Sequence, residues 1–180
     1  MGGVGAGAQP TLLGAGLTLR PWGETDIDQV HSAGQDPAIQ RWTTLPSPYT
    51  RDDAVEFVTD IAPGQWSDRR GAHFAVLSDD GPELLGACGL SSIDPARSSA
   101  EAGYWVTPAA RGRAVASTAL ALVVDWARDG LGLAVLDLLA AEANHASRAV
   151  AEAAGFTLAG PCPADRCPLD EPVVLYTRMA

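Results

Sequence analysis

The spacing of apolar residues divides the chain into elements. Leu17 and Leu19 alternate with Thr18 and Arg20 ahead of Pro21, which predicts a short edge strand. Thr25 is placed to cap a helix through Ile27, Val30 and Ala33 that ends near Gly34. Residues 41–49 hold two prolines beside Trp42 and Tyr49 and read as an irregular loop. Thr50 and Asp53 have the capping-box spacing and open a second helix through Ala54, Phe57, Val58 and Ile61. Residues 72–77 and 84–90 read as adjacent antiparallel strands around an Asp79-Asp80-Gly81-Pro82 turn. The next strand, 101–106, carries Tyr104, Trp105 and Val106 and stops at Thr107-Pro108. From Ala114, Val115, Ala119, Leu122, Val123 and Trp126 recur at spacings of three and four, an amphipathic helix with Gly130 as its stop. Residues 134–139, apolar except for Asp137, predict a central strand. Asn144 then caps a helix through Ala146, Ala149, Val150 and Ala153, ended by Gly155 with Phe156 beyond it. Strands over 157–159 and 173–176, separated by the loop 160–172, close the chain.

Composition narrows what such a chain does. At 180 residues, residues 17–180 are expected to form one domain behind a flexible leader, 1–16. That leader has neither a basic n-region nor an apolar core, and Ala6 stands where a myristoylation signal needs serine or threonine. A net charge of −10 disfavours a nucleic-acid partner and suits a cationic, amine-bearing one. Three cysteines, Cys88, Cys162 and Cys167, do not make a disulfide framework, and no apolar run is long enough for a membrane span. A cytoplasmic setting with free thiols is expected. The three histidines lack metal-ligand spacing with one another or with the cysteines, so no metal is expected.

The candidate chemistry lies where the 101–106 strand gives way to the long helix. Arg111-Gly112-Arg113-Ala114-Val115-Ala116-Ser117 combines small residues, two arginines and the free N–H groups of a helix start. By itself this is either an ordinary surface loop or a site for phosphate or pyrophosphate. Period-two geometry puts Glu101, Gly103 and Trp105 on one strand face, making Glu101 either a general base or an exposed strand-end carboxylate. Asn144 and Ser147, three apart at a helix start, face the same way. A nucleotide-binding reading of the loop is weaker, since it lacks the lysine of a P-loop and the glycine spacing of a dinucleotide fold.

The stretch resembles motif A of the GNAT acetyltransferase superfamily, whose pyrophosphate loop Arg/Gln-x-x-Gly-x-Gly/Ala is matched by Arg111 to Ala116. The element order is similar as well. GYWVTPAARGRAVAS, Asn144-x-x-Ser147, Ala154-Gly155-Phe156 and the earlier PSPYTRDDAVEF look most like the RimJ/RimL branch. The resemblance implies an α/β (α+β) GNAT fold, a mixed, mostly antiparallel sheet of about six to seven strands flanked by about four helices. It also implies acetyl transfer from acetyl-CoA to a protein N-terminus or a small-molecule amine, with a homodimer left open.

Carried onto this chain, the resemblance places pyrophosphate at Arg111, Gly112, Arg113, Ala114, Val115, Ala116 and Ser117. It places pantetheine along the backbone of Tyr104 and Val106 and at Asn144, and the general base at Glu101. Many members use a tyrosine seven positions after the asparagine to protonate the thiolate; Ala151 stands there, which leaves Ser147 or water. Ala114 occupies the usual first-glycine position. A negative φ is expected at Ala114, and a left-handed value would mean that the phosphate loop is misplaced. The alternative from another class is a non-catalytic acyl-CoA-binding or sensing module, to be separated by whether Glu101 faces an open cleft or is buried in an ion pair.

Overall fold

A computed structural model describes residues 7–167 and 171–180. Eight strands form one sheet, and their order in it is β1-β2-β3-β4-β5-β6-β8-β7. They are β1 Leu12–Gly14, β2 Leu17–Pro21, β3 Ala72–Ser78, β4 Leu84–Asp94, β5 Ser99–Val106, β6 Val135–Ala141, β7 Thr157–Pro161 and β8 Val173–Met179. Among the described residues only β5 and β6 pair in parallel, as expected of strands joined through a helix. The mixed, mostly antiparallel architecture is as expected, with eight strands where six to seven were anticipated.

The extra strand comes from the stretch read as a leader. Residues 12–14 pair with β2, Gln9 Nε2 donates to the His73 carbonyl at 2.9 Å and Trp66 Nε1 to that of Gly7 at 3.0 Å. β2 therefore lies inside the sheet, and β1 forms the edge expected of β2.

Helices cover both faces. On one, α5, Val115–Leu131, buries Leu120, Val123, Val124 and Ala127 against Leu19, Phe74, Leu90 and Leu136, with α6, His145–Ala153, beside it. On the other, α1, Ile27–Gly34, α3, Arg51–Glu56, and the turn that follows α3 pack Ile27, Val30, Ala54 and Val58 on Ala75, Leu77 and Leu84. α3 opens with the expected reciprocal capping box between Thr50 and Asp53, and continues through a π turn, Phe57–Ile61, into α4, Ala62–Ser67.

Three local expectations are corrected. Thr25 does not cap α1; a 3₁₀ turn, Glu24–Asp26, precedes it, and buried Asp26 anchors the turn by accepting from Gly23 N–H and from Arg20 Nη1 and Nη2. α2, Pro37–Trp42, stands where the loop at 41–49 was expected to begin, with Asp36 as N-cap and proline in its first turn. α5 runs through Gly130 and ends instead at Gly132, whose φ of 68° permits the closing bonds Gly132 N–H to Arg128 O and Leu133 N–H to Ala127 O.

One feature of the sheet sets up the site. β5 and β6 pair in register only from Ser99 with Val135 to Ala102 with Leu138, while β5 continues to Val106 and β6 to Ala141. The strands splay beyond that point. Residues 103–106 keep β4 on one side and, among the described residues, have no strand partner on the other.

Candidate functional site

Two adjoining cavities, of about 480 and 290 Å³, open around this splay. The larger is walled by the 107–114 turn, the first turn of α5, the start of α6 and one face of α2. Helix geometry leaves the Val115, Ala116 and Ser117 N–H groups without intrahelical partners, because the first such bond runs from Thr118 N–H to Ala114 O. Positive dipole character thus faces this cavity.

Of the seven loop residues singled out in the sequence, Arg111, Gly112, Ala114, Val115, Ala116 and Ser117 line the larger cavity; Arg113 does not. Ala114 has φ 56° and ψ 15°, a left-handed conformation and not the negative φ expected. By the criterion set on the sequence alone, the loop is misplaced. That criterion assumed alanine would avoid strain, whereas the chain here holds alanine in a glycine-like conformation. The turn swings the backbone from the Pro108–Ala110 3₁₀ segment into α5. The loop's position rests instead on the cavity that it lines. Arg111 also differs from a free guanidinium: it is paired with Asp36 at the N-terminus of α2, and this hydrogen bond, with others from the α2 backbone, holds the Asp36 carboxyl below the usual range.

Tyr104, Val106, Asn144 and Ser147 line the same cavity. Asn144 is the N-cap of α6, its side chain accepting from Ser147 N–H at 3.0 Å. Tyr104 contributes more than backbone: its hydroxyl reaches from β5 to Ser147, 2.9 Å from Oγ and 3.3 Å from the carbonyl oxygen. Ala151, where the family often has tyrosine, is fully buried.

The smaller cavity is lined largely by aromatic and aliphatic groups from α1, α2, β4 and β5, with Glu101 as its one carboxylate among the described residues. Glu101 both faces this cavity and is ion-paired, combining the two alternatives posed for it. Arg166, in the loop before β8, bridges Glu101 at 3.3 Å and Asp137 at 2.7 Å, and Thr177 Oγ1 also donates to Asp137. The bridge is half-buried, the Glu101 side chain being 29% exposed. His73 lines the cavity with Nε2 2.8 Å from Gln65 Oε1; burial pulls its pKa below the ordinary value.

The two cavities share five residues: Trp42, Thr43, Tyr104, Trp105 and Ser147. Trp105 lies against Trp22, with ring centroids 6.4 Å apart. Trp42 and Thr43 fall at the start of the 41–49 stretch read from the sequence as an irregular loop; what that reading missed is α2, although Asp36-Pro37, an acid N-cap before proline, was an available signal. Arg166 lies in the 160–172 loop, and its pairing with Glu101 and Asp137 depends on where that long loop folds.

All three cysteines are free thiols, and burial pushes the Cys88 thiol up to about 12. Among the described residues no three His, Cys, Asp or Glu side chains gather as a metal-ligand group. No helix among them is long and apolar enough to cross a membrane.

A family model described as acetyltransferase (GNAT) domain matches residues 16–157. YdaF of Bacillus subtilis (strain 168), whose name makes it provisionally a ribosomal N-acetyltransferase, is 32% identical over 92 residues. That match takes in 51% of this chain and 49% of YdaF, so the chain aligns with about half of this relative's length. Among solved structures, the ribosomal L7/L12 alpha-N-protein acetyltransferase RimL in complex with coenzyme A has a TM-score of 0.82 at 21% identity, over 94% of this chain and 98% of that one. Spermidine N-acetyltransferase from Vibrio cholerae, in complex with CoA and spermine, has a TM-score of 0.78 at 20% identity, over 92% and 96%. At such identities the structural likeness establishes the fold.

Proposed function

The chain belongs to the acetyltransferase (GNAT) domain family, and from that premise we propose that it transfers an acetyl group from acetyl-CoA to a primary amine by direct attack in a ternary complex. The observation that carries this reading is the meeting of two chemically different cavities at one seam. The larger ends at a helix N-terminus and an arginine, which suits a pyrophosphate; its other end runs along the unpaired part of β5, which suits the amides of a pantetheine arm. Acetyl-CoA supplies an activated acyl group when bound there. Gly112 and residues 114–117 hold the phosphates, the backbone of Tyr104 and Val106 aligns the arm, and Asn144 closes the wall of the channel.

The smaller cavity takes the acceptor. An aliphatic ammonium, with a pKa of about 10 to 11 judged from lysine, must lose a proton before it attacks. Glu101, which lines that cavity, takes the proton, directly or through water. One carboxylate among the described lining residues, amid aromatic walls, suits an acceptor with one positive charge and an apolar body, such as a peptide N-terminus or a compact monoamine. A polyamine, with several charges to satisfy, suits it less. Free thiols at all three cysteines are consistent with a reducing, cytoplasmic setting.

The test is thiol release from acetyl-CoA with peptides, monoamines, polyamines, aminoglycosides and amino acids as acceptors. The expected result is turnover with amines, peptides and monoamines ahead of polyamines. Tight CoA binding without thiol release from any amine would overturn the reading and leave the chain an acyl-CoA-binding module.

A further inference from the structure

Acyl transfer takes place where donor and acceptor meet, so the groups common to both cavities are those that reach the reacting bond. Of the five shared residues, Tyr104 carries the most acidic hydroxyl, the other hydroxyls being the aliphatic ones of Thr43 and Ser147. Its oxygen is 2.9 Å from Ser147 Oγ, within hydrogen-bond distance, and the two groups come from different elements, β5 and α6. A serine hydroxyl alone is a poor acid. A phenol behind it supplies the missing acidity, at a position the family's usual helix tyrosine does not occupy here because Ala151 is packed into the core.

We propose that the Tyr104 phenol and the Ser147 hydroxyl act as one proton-delivery unit for the departing thiolate, an inference that rests on the acetyl-transfer reading above. As the C–N bond forms and the C–S bond breaks, sulfur leaves with the bonding electron pair. Ser147 Oγ gives its proton to sulfur, and Tyr104 Oη gives its own to Ser147. The acceptor nitrogen, starting as ammonium, sheds two protons on becoming an amide. Through Glu101 and solvent, one restores Tyr104 and so balances the proton on the thiol; the other is released. Burial pushes the phenol up to about 12, outweighing the lowering by its Ser147 hydrogen bond, so Tyr104 enters each turnover protonated at neutral pH.

The experiment compares Tyr104→Phe, Ser147→Ala and the double variant with the unmodified protein, in turnover and in equilibrium binding of CoA and desulfo-CoA at about pH 9, where free CoA, like an ordinary thiol of pKa about 8.5, is largely thiolate. Tyr104→Phe keeps the ring. It is expected to lower kcat roughly 10²-fold with the KM for acetyl-CoA and the melting temperature little changed. The double variant is expected to be no worse than about threefold below the slower single one, as for groups acting as a unit. The unmodified protein is expected to bind CoA about tenfold tighter than desulfo-CoA, a preference lost in both single variants. Tyr104→Phe within threefold of the unmodified kcat, or an unchanged CoA preference, would overturn the inference and leave acetyl transfer intact. Absence of turnover in the unmodified protein would overturn both.

Discussion

Ala114 holds a backbone conformation that L-residues with a Cβ adopt at a cost, and nothing in its side chain requires alanine. Ala114→Gly is therefore expected to raise stability by about 1 kcal/mol, read as a higher urea midpoint. A loss of stability would show that the left-handed turn is not where the strain lies. At Glu101, the isosteric Glu101→Gln is expected to lower kcat roughly 10²-fold; a loss under about threefold would remove it from the chemistry. Arg166 holds a guanidinium on that carboxylate, where an acceptor ammonium would bind. Arg166→Ala should lower the KM for the amine, whereas a raised KM would make Arg166 a support for Glu101. These residues differ in how legible they were. Glu101, Asn144 and Ser147 stand in local words that carry their meaning, and the cavities include all three. The Tyr104 side chain and Arg166 were not legible, because each acts through a contact spanning more than forty positions.

At the scale of elements, the 3₁₀ turn before α1 depends on one buried carboxylate. Asp26 is 1% exposed and is held by two Arg20 bonds of 2.7 and 2.8 Å and by Gly23 N–H. Asp26→Asn keeps the shape and removes the charge that Arg20 answers, so a loss of about 3 kcal/mol is expected in chemical denaturation. A loss below 1 kcal/mol would mean that water replaces the pair. Strong periodic patterns with proper ends were read correctly: the capping box of α3, the Asn144 cap of α6 and the strands β3, β4 and β5. What was missed has a common cause. β1 is three residues long and pairs only because β2 lies beside it, and α2 has six residues, too few for a helical period to show. Gly130 read as a stop because glycine weakens helices, yet Gly132 is the residue whose φ the cap requires.

For the whole molecule, acid acts on stability in two stages. Burial depresses the folded pKa of His73, so its contribution is present above the unfolded value of about 6.5 and is lost as pH falls through and below it. At Asp26, burial alone would raise the carboxyl pKa, but the Arg20 and Gly23 hydrogen bonds outweigh it and the net shift is downward. Its contribution therefore persists above the unfolded value of about 3.9 and fades below that. Urea midpoints followed from pH 8 to pH 3 should decline in two steps, the lower one reduced in Asp26→Asn to what Asp36 and the other lowered carboxyls contribute. The divergence of β5 from β6 has a consequence of a different kind. Every second residue of 103–106 turns its amide toward a gap and not toward a neighbouring strand, so the middle of the sheet holds amides that solvent deuterium reaches without global unfolding. Occupation of the gap by an extended ligand would slow their exchange while leaving the amides of 99–102 unaltered. The interior of the sheet thus contains its own gauge of ligation, readable before any turnover is measured.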